Sequence, residues 1–143
     1  MITSKAEYLL RILMHLAEES SKGPVTSGEI AARQGIPPKY IPQLMAMLTK
    51  KGWVSSQRGA RGGVKLVADP AFITVREVIR LAQGDLLMKD CLDPAYPCDR
   101  RRGCPLLPIW IQAQENVDEI MGKTTIADLV MRHKPAGGAR ALP

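Results

Sequence analysis

Gly52-Trp-Val-Ser-Ser-Gln-Arg-Gly-Ala-Arg-Gly-Gly63, continued by Val64-Lys-Leu-Val67, reads as strand, glycine turn and returning strand. Trp53 to Gln57 and Val64 to Val67 carry the β-branched and aromatic residues that suit a pleated surface, and Arg58 to Gly63 supplies glycines for a tight tip. Gly52 marks the end of a helix in front of it.

Three helices are expected upstream. Ser4 and Glu7 have capping-box spacing, and Leu9, Leu10, Ile12, Leu13, Leu16 and Ala17 recur at helical intervals, which predicts a helix from about Lys5 to Glu19. Ser20 to Pro24 reads as a loop. Thr26 and Glu29 repeat the box before a short helix that turns Ile30 and Ala31 inward and stops at Gly35. Pro37 and Pro38 suit the start of a third helix with Tyr40, Ile41, Leu44, Met45 and Leu48 as its apolar stripe. Pro42 is tolerable only near the first turn, which sets the start at Pro38 or Lys39. Two short helices, then strand, glycine turn and strand, give the order of a winged helix-turn-helix, in which the second helix of the pair enters the major groove.

The charge distribution agrees. From Ile30 to Ala68 there is no Asp or Glu, while Arg33, Lys39, Lys50, Lys51, Arg58, Arg61 and Lys65 are all basic; the rest of the chain carries 13 basic and 14 acidic residues. The formal net charge of +6 is therefore concentrated in the segment with the winged pattern, as expected of a face that binds a polyanion. The candidate DNA contacts are Thr26 and Ser27 at the start of the second helix, Lys39, Tyr40 and Gln43 on the reading helix, and Arg58, Gly59 and Arg61 in the wing. Gln43 suits bidentate reading of adenine, and an arginine at the tip suits a minor groove.

Beyond the wing, Thr74 and Glu77 open a helix through Val75, Val78, Ile79 and Leu81 to Gly84. Leu86 to Cys104 breaks all periodicity. From Pro105 to about Gly122 a long helix carries Leu106, Ile109, Trp110, Ala113, Val117, Ile120 and Met121 on one stripe, which invites a partner helix. Thr125 and Asp128 cap a last short helix to His133, and 135–143 reads as a disordered tail. The expected division is 1–84 for the DNA-binding domain, 85–104 for the cysteine loop, 105–134 for the dimerisation helix and short terminal helix, and 135–143 for the tail. The expected class is mainly α with a small β-hairpin wing.

Only six residues are Phe, Trp or Tyr, so the core is expected to be mainly aliphatic and Met-rich. With no run apolar enough to span a membrane and no signal-like N-terminus, the expected location is cytoplasmic. The three cysteines, Cys91, Cys98 and Cys104, are separated by six and then five residues. An odd set crowded into one loop does not read as a disulfide framework; an iron-sulfur cluster, a zinc site or free thiols all fit. Arg100, Arg101 and Arg102 beside them favour thiolate. No catalytic constellation emerges, and the expectation is that the chain is not an enzyme. Gly122-Lys-Thr-Thr has the end of a phosphate-binding loop, but Val117 replaces its first glycine and the motif follows a helix instead of opening one. A thiol redox enzyme and an RNA-binding module are the competing classes.

Several runs together resemble the iron-sulfur winged helix-turn-helix regulators typified by IscR and NsrR, the Rrf-two type. They are Ser-Lys-x-x-Tyr-x-x-Arg at Ser4 to Arg11, Ile-Pro-Pro-Lys-Tyr-Ile-Pro-Gln-Leu at Ile36 to Leu44, the Gly52 to Gly63 run, Thr-Val-x-Glu-Val-Ile from Thr74, and the spaced cysteines. The resemblance covers roughly Met1 to Met131. It implies a homodimer that sets two winged heads on double-stranded operator DNA, with the long helix as the seam, and a cluster of two-iron or four-iron type on Cys91, Cys98 and Cys104. Some relatives complete the ligand set with a histidine where Leu107 stands here. Others use an acidic residue on the first helix of the opposite subunit, and Glu7 occupies that position; a relative with Glu and His ligands has histidine where Arg11 stands. His15, one turn further on, reads as a helix-surface residue. Pro42 replaces an acidic, base-discriminating residue of some relatives, so operator sequence does not carry over. The mechanism expected is that a change in cluster state repositions the loop between Gly84 and Cys104 and alters the spacing of the heads.

Overall fold

The computed structural model describes residues 1–133, so the expected tail at 135–143 lies outside the described residues. The helices are α1 (Ser4–Glu18), α2 (Ser27–Gln34), α3 (Ile41–Lys51), α4 (Val75–Gln83), α5 (Leu107–Lys123) and α6 (Ile126–His133). Strands β1 (Val54–Gln57) and β2 (Gly63–Leu66) pair antiparallel, with Val54 opposite Leu66 and Gln57 opposite Gly63. Single 3-10 turns occupy Pro38–Tyr40, Pro70–Phe72 and Asp90–Leu92.

The central element is α1, against which α2, α3, α4, α6 and β2 all pack. Leu9, Ile12 and Leu13 are fully enclosed and Leu16 nearly so, each such side chain contributing about 1.5–3 kcal/mol of transfer free energy. Two expectations about this helix are corrected. The residue that caps it is Thr3, whose extended backbone lets its hydroxyl accept from the Ala6 N–H at 3.2 Å, whereas Ser4 is already helical and Glu7 pairs with Arg11. His15 is not on the surface: it is 3% exposed, because α6 folds back over a second side of α1. Among the described residues its Nε2 has no hydrogen-bond partner.

The wing is joined to the helical pair by a contact that periodicity cannot reveal. Val25, just before α2, forms a one-residue antiparallel bridge with Val64, its N–H donating at 2.8 Å and its carbonyl accepting at 2.7 Å. Gly63 makes this possible. Its φ is +151°, and a Cβ there would stand 2.7 Å from the Val25 carbonyl oxygen.

Three of the proposed helix starts are capped by the expected threonines. Thr26 accepts from the Glu29 N–H, Thr74 and Glu77 form the full reciprocal box, and Thr125 and Asp128 do the same for α6. Gly35 and Gly52 close α2 and α3 in the left-handed region. The chain then returns to the head: Thr74 bridges Thr125, and Ile126, fully enclosed, joins the core built on α1.

Candidate nucleic-acid interface and cysteine cleft

Helix α3 is entered through the 3-10 turn Pro38–Tyr40, and Pro42 falls in its first turn, where the missing N–H leaves no bond unmade. Ile41, Leu44, Met45 and Leu48 face the core; Pro42, Gln43, Ala46, Thr49 and Lys50 form the outward face. Tyr40, assigned to the apolar stripe by spacing, is instead 40% exposed, resting on Tyr8 with ring centroids 6.0 Å apart and carrying the Lys39 ammonium 5.1 Å from its own ring centroid. Lys39, Tyr40 and Gln43 are thus all exposed around the start of α3.

A cleft of about 340 Å³ opens between the start of α2, the start of α3 and the sheet, with Ser27, Pro38, Pro42, Ser56 and Val64 in its lining. Thr26 and Ser27 are exposed beside it. Arg58, Gly59, Ala60 and Arg61 are exposed at the wing tip. The tip is folded by a Gly62 N–H donating to the Gly59 carbonyl at 2.9 Å, and a Cβ on Gly62 would collide with the Gln57 carbonyl. In the acid-free segment, Arg33 pairs with Glu29 at 3.5 Å. Among the described residues Lys39, Lys50, Lys51, Arg58, Arg61 and Lys65 form no ion pair, so their field is directed at solvent and any polyanion in it.

The loop after α4 is a chain of tight turns. Leu92 N–H donates to the Lys89 carbonyl, Arg101 N–H to Cys98 and Leu107 N–H to Cys104, at 3.0, 3.2 and 3.3 Å; Pro94, Pro97 and Pro105 keep the turns from merging into a helix. Cys91, Cys98 and Cys104 are free thiols, partly exposed, and all three line one cleft of about 250 Å³. Trp110, Leu106 and Leu107 form its apolar wall, and Arg100 and Arg101 its cationic one. As a donor set, three thiols around an apolar pocket with neighbouring guanidiniums suit an anionic iron-sulfur core. Among the described residues no three His, Cys, Asp or Glu side chains are gathered closely enough to hold a metal ion as they stand. Glu7, on exposed α1 surface and paired with Arg11, is not part of the cleft within one chain.

One residue of this region is missed by the sequence reading. Gln114 is the buried residue of α5, and its amide binds the loop backbone at Leu86 and Met88. A glutamine between apolar helix positions carries no signal of burial. The expected stripe, by contrast, is covered only in part: Trp110, Ala113, Val117 and Met121 are half-buried, whereas Leu106, Ile109 and Ile120 are 54%, 55% and 67% exposed.

Residues 2–132 match the Rrf2 family model, described as an iron-dependent transcriptional regulator. The chain is 33% identical to the HTH-type transcriptional regulator IscR of Xenorhabdus nematophila over 90% of its own length and 78% of that protein's. It superimposes on CymR, described as the global cysteine regulator of B. subtilis, with a TM-score of 0.75 at 31% identity, covering 92% of this chain and 96% of that one. IscR of T. potens gives 0.74 at 29% identity, covering 98% and 93%. The fold is therefore the winged helix-turn-helix of these regulators, and the chain belongs to the Rrf2 family of DNA-binding transcriptional regulators.

Proposed function

We propose that the protein is a homodimeric operator-binding regulator whose DNA affinity follows the state of an iron-sulfur cluster held by Cys91, Cys98 and Cys104. The observation that carries this reading is that three thiols, far apart along the loop, line a single cleft. The iron-dependent description of the family supports it. The apolar face of α5, with Ile109 and Ile120 more than half exposed, supports a partner helix in a second copy of the chain. Glu7 of that second copy is the fourth ligand in this reading. A bound cluster supplies a centre that gains or loses electrons, or is dismantled by oxidant or nitric oxide.

The chain's own residues do the rest. Trp110, Leu106 and Leu107 limit water at the thiols, and Arg100 and Arg101 favour their deprotonated form. Thr26, Ser27, Lys39, Tyr40 and Gln43 meet one groove of the operator, and Arg58, Gly59 and Arg61 meet the backbone and the adjacent minor groove. The loop lies between α4 of the head and the α5 seam, so a change at the thiols acts on both.

The test is anaerobic purification with optical spectra and iron and sulfide analysis, followed by operator binding of the loaded protein and of a Cys91→Ser, Cys98→Ser, Cys104→Ser variant. Different affinities support the reading. Equal affinities, or a colourless and iron-free protein that responds only to thiol oxidants, favour the second reading: a cluster-free regulator sensing through its thiols, a small ligand or a partner protein. That reading draws on the three free cysteines and the similarity to a regulator of cysteine.

A further inference from the structure

On α5 the apolar residues Ile109, Ile111 and Ile120 are exposed while a glutamine is buried, the reverse of what transfer free energies favour. A buried primary amide is tolerated only when its donors and acceptor are used, and those of Gln114 are. Its Oε1 accepts from the Met88 N–H at 2.9 Å, and its Nε2 donates to the Leu86 carbonyl at 2.8 Å and to Asp118 Oδ1 at 3.1 Å. A side chain that takes the carbonyl of one residue and the N–H of the second residue along imitates the edge of a neighbouring β-strand. It therefore fixes backbone, whatever side chains the loop carries. The fixed point, Leu86 to Met88, is the root of the segment that reaches Cys91 three residues later.

The connection continues. Asp118, one turn along α5, stands 3.8 Å from the Arg76 guanidinium on α4, and α4 packs on α1. Beside these contacts runs a cleft of about 470 Å³ lined by Ile79, Leu87, Leu92 and Met121, so the loop root is not held there by continuous packing. We infer that Gln114 is a positioning residue: it clamps the root of the cysteine loop to α5 and, through Asp118 and Arg76, links the loop to the DNA-binding head. This deepens the proposed sensing reading by naming the connection through which the loop acts.

The experiment uses the full chain in metal-free form, comparing hydrogen exchange at the Met88 amide in the wild type, Gln114→Leu and Gln114→Glu, with circular dichroism and exchange in α1 reporting on the fold. Loss of a hydrogen bond predicts about tenfold faster Met88 exchange in Gln114→Leu, with α1 unchanged and faster alkylation of Cys91 by iodoacetamide. Gln114→Glu keeps an acceptor for Met88 and should retain more of its protection. A filler role predicts the opposite order, since leucine packs where a second carboxylate beside Asp118 does not, and that order, or unchanged Met88 exchange, overturns the proposal. The second arm measures operator affinity in cluster-loaded and cluster-free protein. The ratio is expected to fall toward one in Gln114→Leu; a full ratio alongside a released Met88 overturns the link to the head. A wild-type ratio of one would sink the sensing reading, and with it the link, while the exchange result still decides the clamp.

Discussion

The head and the cysteine loop are built in opposite ways. Leu9, Ile12, Leu13, Leu44, Leu48, Val78 and Ile126 are sealed inside the head, and the wing is tied to it by backbone bonds on both sides of Val25. From Gly84 to Cys104 no residue is buried, and shape comes from local turns and the Gln114 amide. Dense aliphatic packing gives a single rigid arrangement, whereas sparse, solvent-facing hydrogen bonds give a segment that opens at low free-energy cost. The division suits a DNA-binding regulator under the proposed reading: a fixed surface for DNA beside a segment free to respond.

The largest expected contrast lies in stability. Leu13→Ala should cost the head about 2–5 kcal/mol, whereas replacing all three cysteines by serine should shift denaturant unfolding of the metal-free protein by less than about 1 kcal/mol. A comparable loss from the cysteine variant would break the comparison. Next comes Gly63→Ala, whose Cβ would stand 2.7 Å from the Val25 carbonyl oxygen, with an expected loss of about 2–3 kcal/mol in the same measurement.

Arg58→Ala and Arg61→Ala should leave unfolding unchanged. Each is expected to weaken operator binding by about 1 kcal/mol and to lower the slope of log affinity against log salt by about one, as fluorescence anisotropy across a salt series would show. The smallest effect concerns Asp128. The Thr125 backbone N–H, and then the Thr125 side chain, hold its carboxyl below the usual aspartate range. A group lowered on folding stabilises the native state above its unfolded pKa, and that contribution disappears as pH falls through the lower native value. Titration followed by NMR should place Asp128 below an unpaired aspartate, and Thr125→Ala, which keeps the backbone N–H and removes the hydroxyl, should move it only part of the way back up.

Much of the head is legible in the sequence because its signals are local. Thr26, Thr74 and Thr125 precede a carboxylate at the right interval, Gly35 and Gly52 stop helices, and the glycines of the wing announce its tip. The misses share a cause, which is tertiary context. Thr3 and Ser4 are adjacent and chemically able to cap, and only the observed backbone selects Thr3. His15 is enclosed because α6 returns over α1, Tyr40 is displaced outward by the 3-10 turn, and Val25 pairs as a strand too short to have a period. In the cysteine loop and its contacts the cysteines are visible as residue types and Gln114 is not, since a helical glutamine is ordinarily solvated. The exposed positions of α5 are legible as part of a stripe, and nothing in the sequence says what would cover them.

The bridge between Val25 and Val64 also divides the wing into parts with different freedom to vary. Its base is locked to the helical pair, and Gly63 admits no larger residue without displacing that lock. The tip from Arg58 to Arg61 projects into solvent. Changes of length or charge at the tip should therefore alter how it meets a polyanion while leaving the seating of α3 unchanged.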